Sequence, residues 1–233
     1  MSGVAARITE IEFQIPWEGS LVPILSGAGR CGVVLGSLLP PGFDRYLRVF
    51  HPFVPWDARF GRVSATRTWR QLADEAGVAF GPTLTWRQLA PVVPLSADGA
   101  SRPWAVWEGE LEPATADALF EGLEREQSGP YLVGYELAAY GRPGRALLFR
   151  GEALDDRLEA AAVARSIGVF SGSPEYLWPN DLRWIVRTDW DLTSTYVASS
   201  HDGAERILAD PRVETVEVNL DTRIDDAADE RPG

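Results

Sequence analysis

The sequence predicts an α+β fold, with a mixed, mostly antiparallel sheet that is flanked by short helices. Three observations support this fold class. Apolar and polar residues alternate over residues 184–192, as in a strand with one buried face. The segments that join such strands are too short for crossover helices, which favours antiparallel pairing. Apolar residues with helical spacing recur only in short stretches, such as residues 113–123 and 154–164.

Length and composition are those of a globular protein. The 233 residues predict a single domain over residues 1–220, with two lobes, 1–112 and 113–220, as the alternative. Residues 221–233 are acidic and have no hydrophobic periodicity, so we expect a disordered tail. No apolar run approaches the roughly 20 residues that cross a bilayer, so we expect no membrane association. The single cysteine, Cys31, and the lack of a signal-peptide pattern predict a cytoplasmic protein.

The charge balance disfavours several classes of partner. A formal net charge of −12 opposes attraction to nucleic acids or to anionic membranes. All 22 basic residues are arginine, so catalysis through a lysine Schiff base is impossible. A GC-rich coding sequence favours arginine codons, and we prefer this explanation for the absence of lysine.

The beginning of the chain predicts a strand and a glycine-rich loop. Residues 11–15 alternate between apolar and polar side chains, which indicates a first strand. Residues Gly27–Gly32 (GAGRCG) match the pattern of dinucleotide sites, in which a helix must begin at the turn. Pro40 follows too soon for that helix. A loop before a short strand, Cys31–Leu38, is the better interpretation.

Residues 40–53 (PPGFDRYLRVFHPF) predict a turn that leads into a strand. Tyr46, Arg48 and Phe50 share one face of this strand. The other face carries two aliphatic residues, Leu47 and Val49.

His51, one of two histidines, ends this strand in an aromatic setting that includes Trp56. Imidazole titrates near working pH, so one hypothesis makes His51 a general base. A histidine at a strand end more often bonds to the backbone. This structural role is the preferred interpretation.

The hexapeptide TWRQLA occurs twice, at residues 68–73 and 85–90. Threonine and glutamine in each copy have the spacing of a capping box, so we expect two short capped helices. The pair also resembles a helix-turn-helix, whose second helix would enter the major groove of DNA. Pro82 would break that helix and the acidic charge opposes DNA binding, so we predict no nucleic-acid partner.

The middle of the chain predicts several short elements. One helix should begin near Pro113, and another should cover residues 154–164 with Leu158 and Val163 facing the core. Residues 166–180 are expected to form a loop. Strands are expected at residues 104–107, 131–141 and 146–151.

The stretch Trp178–Val218 predicts a β-β-α-β unit. Its first strand, over residues 184–192, should bury both Trp184 and Trp190. Residues 193–199 are rich in β-branched and aromatic side chains, which indicates an antiparallel partner strand.

A short helix and a last strand complete this unit. Ser200 or Asp202 should cap the helix, which must end before Pro211. Its apolar stripe consists of Ala204, Ile207 and Leu208. Residues 213–218 then predict the strand.

Two carboxylates, Asp189 and Asp191, should project from the accessible face of the strand over residues 184–192. Paired carboxylates could hold Mg²⁺ or act as acid and base. Arg187 shares this face, so a solvated, salt-bridged surface is the preferred interpretation. One cysteine and two distant histidines have no zinc-ligand spacing. We therefore expect no metal and no cofactor.

Residues 40–53 and the stretch LWPNDLRWIVRTDWDLTSTYVASS (residues 177–200) resemble a family of α+β proteins from GC-rich bacteria. Members of that family have a proline-glycine-aromatic turn followed by Arg-Val-x-His-Pro, and a Trp-Pro-x-Asp-Arg-x-Trp stretch that ends in Asp-x-Thr-Tyr-Val. The resemblance covers about half of the chain. It departs at Leu182-Arg183, and at residues 132–137, where Cys and Trp are missing. No activity is established for the family, so the resemblance implies a shared fold.

Residues Leu39–Leu47 also resemble a short motif of immunity-type α+β domains, Leu-Pro-x-x-aromatic-x-x-aromatic-Leu. Together with the abundance of Trp and Arg, which are frequent in interface hot spots, this favours a protein-binding module without catalysis. The alternatives are a small-molecule-binding protein or enzyme that uses an aromatic pocket with His51 and the two aspartates, and a DNA-binding regulator. The partner is expected to be another protein, and the oligomeric state stays open. The candidate binding residues are Arg48, His51, Trp56, Trp178, Arg187, Asp189, Asp191 and Tyr196.

Overall fold

The computed structural model describes residues 8–11, 34–55, 66–93, 104–124, 130–135, 147–166, 168 and 173–225. Within these ranges the strands are β1 (Ile8–Ile11), β2 (Arg45–Phe50), β3 (Phe53–Pro55), β4 (Trp104–Val106), β5 (Tyr131–Tyr135), β6 (Leu147–Gly151), β7 (Tyr176–Pro179), β8 (Ile185–Thr188), β9 (Ser194–Ser199) and β10 (Thr215–Val218). The α-helices are α1 (Trp69–Ala76), α2 (Pro113–Glu124), α3 (Asp156–Ser166) and α4 (His201–Ala209). A short 3₁₀ helix covers Leu35–Ser37.

Eight strands form one sheet in the order β1-β6-β5-β7-β8-β9-β2-β10, and β3 pairs with β4 in a small second sheet. Every pairing between the described strands is antiparallel. The α+β class with a mostly antiparallel sheet is therefore confirmed. Strand β2 lies between β9 and the edge strand β10, so early and late parts of the sequence meet at one end of the sheet.

The large sheet is covered on both faces. On one face, helices α2, α3 and α4 pack over Leu47, Val133, Val186 and Val197. We call this the helix face. On the opposite face lies a second apolar cluster. It combines sheet residues with the segment after β10 and with the 3₁₀ helix, which contributes Leu35. We call this the second face.

A third apolar cluster lies around helix α1. Trp69 is fully buried between the rings of Phe50 and Phe53, at centroid distances of 5.2 and 5.0 Å. Its indole Nε1 donates to the carbonyl of His51 at 2.8 Å, so the buried N–H group is satisfied. The cluster therefore connects α1 to the end of β2.

The β-β-α-β unit is confirmed as β8-β9-α4-β10, with β8 and β9 antiparallel. Ser200 caps α4 by accepting from the backbone N–H of Gly203 at 3.2 Å. The helix ends at Ala209, before Pro211, as expected. Strand β10 pairs with β2 and not with β9.

The predicted strand over residues 184–192 is too long. Strand β8 ends at Thr188, and a turn follows in which Leu192 N donates to the Asp189 carbonyl at 3.2 Å. Trp184 is buried, but Trp190 is 64% exposed, so the predicted burial of Trp190 is wrong. Alternating polarity misled the prediction because both faces of β8 are covered and Arg187 is buried.

Several other predicted elements need correction. The second TWRQLA copy forms turns and no α-helix, and residues 166–180, predicted as a loop, include strand β7. In the predicted strand Cys31–Leu38, the described residues form the 3₁₀ helix, with only Val34 in a bridge to Arg223. Leu158 is 60% exposed and does not face the core.

The segment after β10 is ordered further than the sequence predicts. Thr222 and Ile224 are buried, and Arg223 bridges to Val34 in an antiparallel pair. The predicted disordered tail of residues 221–233 is therefore corrected for residues 221–225, because these residues cover apolar groups of the second face.

Some predicted features lie outside the described residues, among them the Gly27–Gly32 loop, Trp56 and most of the first predicted strand beyond Ile11. In the part of the chain that the structure describes, none of the helices combines the length and apolarity that crossing a bilayer requires.

Candidate functional site

His51 is fully buried at the end of β2, on the helix face of the sheet. Its Nδ1 lies 2.6 Å from the Trp107 carbonyl, which can only accept, so Nδ1 carries the proton and donates. Its Nε2 lies 2.9 Å from Thr195 Oγ1, which in turn lies 2.8 Å from Thr188 Oγ1. The hydroxyl protons can therefore run in one direction, from Thr188 through Thr195 to a neutral imidazole.

Burial lowers the pKa of His51 to about 4, with a smaller lowering from the positive charge of Arg48. The hydrogen bond to Trp107 acts in the opposite direction. Among the described residues, His51 has no hydrogen bond to a carboxylate. The predicted structural role, with a bond to the backbone, is the one that the structure has.

Three of the predicted site residues lie in one row across the second face of the sheet. Arg48 on β2 is paired with Tyr196 on β9, and Tyr196 is paired with Arg187 on β8. The row continues to Tyr176 on β7, whose ring centroid is 4.4 Å from the Arg187 guanidinium. Arginine and tyrosine therefore alternate over four neighbouring strands.

Arg187 is the arginine of this row that pairs with carboxylates. Its Nη1 lies 2.6 Å from Glu175 Oε1, and its Nη2 donates to Asp189 Oδ2. Burial lowers the pKa of Arg187 to about 10, and the negative charges of Asp189 and Asp191 oppose this lowering. The predicted pairing of Arg187 with Asp189 is therefore present, but it is buried and not a solvated surface.

Asp191 is exposed as a residue, yet its carboxyl group is partly covered. This partial burial, followed by the hydrogen bond with Asp189, raises the pKa of Asp191 to about 6. The negative charge of Asp189 adds to the effect, and Arg187 opposes it. The two predicted carboxylates therefore do lie together, beside one guanidinium.

Arg48 has a different environment. Its Nε donates to Ser194 Oγ at 2.9 Å and its Nη1 donates to the carbonyl of Pro82 at 2.8 Å. Its guanidinium lies 4.3 Å from the ring centroid of Phe50. Burial lowers its pKa, and among the described residues it forms no ion pair with a carboxylate. Arg48 is thus a buried cation that is held by neutral groups.

A small cavity of about 50 Å³ lies beside Arg48. Its buried lining includes Thr85, Ser194 and Tyr196, and the hydroxyl of Thr85 has no hydrogen-bond partner among the described residues. Carboxylate side chains, which belong to Glu108, Asp191 and Asp225, lie at more accessible positions of its lining. The cavity therefore has a donor-rich interior and an acidic rim.

Trp190 lies at the tip of the turn between β8 and β9, directly next to this rim. The turn is held by hydrogen bonds from Gly109 N to the Leu192 carbonyl at 3.0 Å and from His51 N to the Thr193 carbonyl at 3.1 Å. The backbone of Gly109 passes so close that a Cβ atom there would lie 2.5 Å from Trp190 Cα. The exposed indole is therefore presented on a fixed backbone.

A second, open groove of about 360 Å³ lies between the Pro40–Asp44 turn and Leu182. This volume is within the range of roughly 300–1,000 Å³ that is common for small-molecule pockets. Leu182 has a φ of 56°, in the left-handed region that a branched side chain rarely adopts. None of the predicted site residues lines this groove.

The structure therefore places the described site residues in three different surroundings. Arg48, Arg187, Asp189, Asp191 and Tyr196 lie together around the cavity and the turn, whereas His51 lies on the helix face. Trp178 is 3% exposed, packs edge to face against Tyr176 and belongs to the apolar cluster of the second face.

Sequence reasoning missed Thr85, Ser194 and Glu108 as neighbours of this site. The sequence predicts Thr85 only as a helix cap, and its backbone N–H does donate to Gln88 Oε1 at 2.9 Å. No local pattern could assign the three residues to one cavity, because they come from distant parts of the chain. The exposed Trp190 had a visible signal in its two flanking aspartates, which are unusual beside a core tryptophan.

Within the described residues, no group of three or more His, Cys, Asp or Glu side chains could hold a metal ion. Comparisons of the chain with protein-family models, with curated proteins and with solved structures give no match. The family resemblance and the immunity-type likeness of the sequence stay predictions.

Proposed function

We propose that this chain is a cytoplasmic protein-binding module that binds a basic surface of another protein through the turn at Trp190. The observation that carries this proposal is the 64% exposure of Trp190 on a fixed turn. Tryptophan is the residue type most enriched in interface hot spots, and burying its indole removes a large apolar area from water.

Rigidity of the turn supports this role. Because backbone hydrogen bonds from Gly109 and His51 already fix the turn, little conformational freedom remains to be lost on binding. Arg187 also ties the side chain of Asp189 to the sheet. A preorganised aromatic anchor of this kind costs less entropy on binding than a flexible one.

The charges around Trp190 indicate the chemistry of the partner. Asp191, Glu108 and Glu110 are exposed near the turn, and the chain has a net charge of −12. An arginine or lysine of the partner could stack on the indole while neighbouring basic groups meet these carboxylates. Nucleic acids and anionic membranes carry the wrong charge for this surface.

Catalysis by His51 with the aspartates has less support. The imidazole bonds to Trp107 and Thr195, and Asp189 bonds to Arg187 on the opposite face of the sheet. A general base must reach the proton that it removes, and both ring nitrogens are occupied. The immunity-type likeness of Leu39–Leu47 is compatible with a binding role and adds no residue to the site.

The test uses the full chain and two single variants. Proteins that co-purify with the wild type from native lysate are identified by mass spectrometry, produced in pure form and titrated calorimetrically. Trp190→Ala should weaken binding by roughly 30-fold or more, as expected for a hot spot of about 2 kcal/mol. Raising the salt concentration should weaken binding further because exposed charges are screened.

Leu158→Ala is the matched control, because Leu158 is the other large apolar side chain with high exposure among the described residues. It should leave the affinity within about twofold of wild type, in line with the small energies of exposed positions away from an interface. Both variants should unfold at nearly the wild-type temperature. Equal affinities of wild type and Trp190→Ala for every purified partner would contradict the proposal.

A further inference from the structure

Arg48 is a buried charge that forms no ion pair with a carboxylate in the described part of the chain. Arg48 is 5% exposed, and its side chain donates hydrogen bonds to the Ser194 hydroxyl and the Pro82 carbonyl. Neutral acceptors and the π face of Phe50 compensate only part of the solvation that a guanidinium has in water. Buried charges in proteins are normally paired, so this arginine requires an explanation.

The cavity of about 50 Å³ adjoins this guanidinium. A water molecule occupies about 30 Å³ in the liquid, so this space has room for about one or two waters or for a compact ion. Thr85 lines the cavity and is 5% exposed. Its hydroxyl has no hydrogen-bond partner within the described chain. It is an available donor at the cavity wall.

Two further buried groups of the lining, Ser194 and Tyr196, can also donate. Ser194 Oγ accepts from Arg48 Nε, which leaves its own proton free to donate. Tyr196 lines the cavity, and burial raises the pKa of its phenol, so the hydroxyl keeps its proton at neutral pH. A buried guanidinium and several hydroxyl donors around a small volume are the groups that stabilise an anion.

We propose that the cavity beside Arg48 is a binding site for one compact monovalent anion, either a halide or the carboxylate of a very small acid. Exposed carboxylates of Glu108 and Asp191 at the rim would repel a multiply charged anion such as phosphate. The third carboxylate, Asp225, is neutralised by Arg223 at 2.7 Å. The small volume excludes larger organic acids. This site does not depend on the protein-binding role of Trp190.

The experiment measures thermal unfolding of the full chain at constant ionic strength, with sodium gluconate replaced stepwise by sodium chloride or by sodium formate. Gluconate is too large for the cavity. An anion that binds only the folded state should raise Tm by about 5–10 °C at one hundred times its dissociation constant. A larger rise with chloride identifies a halide site, and a larger rise with formate identifies a carboxylate site.

Three variants assign the effect to the cavity. Arg48→Met should abolish the rise and should be at least as stable as wild type in gluconate, because it removes an uncompensated buried charge. Thr85→Val keeps the shape of the side chain. It should weaken the binding of the anion by about tenfold, because one hydrogen-bond donor to a charged group is lost. Arg183→Met, at an exposed arginine outside this cavity, should respond as wild type does.

Crystals grown or soaked in bromide provide a direct second measurement, because bromide scatters anomalously. An anomalous peak within hydrogen-bonding distance of the Arg48 guanidinium is expected. If Tm is the same in gluconate, chloride and formate and no bromide peak appears at Arg48, the cavity contains water only and the proposal is overturned. The Thr85→Val result keeps the test decisive if Arg48→Met fails to fold.

Discussion

His51 illustrates at the scale of one residue how burial changes the chemistry of a side chain. Both ring nitrogens are bonded to neutral partners, Trp107 O and Thr195 Oγ1, inside a site with no exposure to solvent. A charged imidazolium would lose its hydration there and lie near the positive charge of Arg48. The neutral ring is therefore part of the folded structure.

The first prediction concerns acid stability. In the folded state the pKa of His51 is about 4, against 6.5 for an ordinary histidine. Between these values the unfolded chain binds more protons, so stability should fall as pH falls through this window. The loss attributable to His51 is at most about 3 kcal/mol. The free energy of unfolding, measured with denaturant at pH 6.5 and 4.5, should fall less between these pH values for His51→Gln than for wild type.

The titration of Asp191 changes the stability in the opposite direction, so its effect must be removed from this comparison. Its folded pKa of about 6 is above the ordinary 3.8, so its contribution to stability is present at low pH and is lost as pH rises through about 6. The comparison is therefore repeated in the Asp191→Asn background, which should steepen the acid loss. Equal slopes with and without His51 in that background would show that His51 titrates normally.

At the scale of one element, the two TWRQLA copies show the limits of local sequence. At residues 68–73 the hexapeptide begins α1, with Thr68 and Gln71 in a complete capping box. Glu214 adds to this end by accepting from Trp69 N at 2.6 Å and Arg70 N at 2.7 Å. At residues 85–90 the same letters form turns, because Pro91 disfavours helical geometry at Ala90 and would stop a helix within this copy.

The turn between β8 and β9 leads to the second prediction. Gly109 has a φ of 67°, and a Cβ there would lie 2.5 Å from Trp190 Cα. Gly109→Ala should therefore cost more than about 2 kcal/mol, from left-handed strain plus a backbone clash. Gly77→Ala is the control, since Gly77 has a φ of 68° and open space around it.

The control variant should lose only the strain, about 1 kcal/mol, measured by urea unfolding. Gly109→Ala should also weaken partner binding, because the turn must shift. A Gly109→Ala variant that is as stable as Gly77→Ala would mean that the backbone of the Trp190 turn is not fixed.

At the scale of the whole molecule, the sheet is a central layer with apolar clusters on both faces. Helices cover one face, and the 3₁₀ helix together with the segment after β10 covers the other. Ile224 is 9% exposed and packs in the second cluster, after the last strand. The segment after β10 is therefore part of the fold up to Asp225.

The third prediction tests this cover. Ile224→Ala should lower the free energy of unfolding by about 2 kcal/mol, the lower end for truncation of a buried aliphatic side chain. Leu158→Ala should change it by less than about 0.5 kcal/mol, because Leu158 is 60% exposed. Denaturant unfolding of both variants provides the comparison. Equal, small effects would return residues 221–225 to the disordered tail that the sequence predicts.

By itself the sequence determined the fold class, the order of the elements after Thr193 and the first capped helix. These features depend on neighbours a few residues apart, such as the cap at Ser200 and the stop at Pro211. It also selected Arg48, Arg187 and Tyr196, because charged and aromatic residues in strands are conspicuous. Only the tertiary structure decided that Trp190 is exposed, that Arg187 is buried and that Thr85 faces Arg48. The reason is physical: a sheet covered on both faces buries the inner strands β8 and β9 on both sides, and a cavity is formed by residues that no local pattern connects.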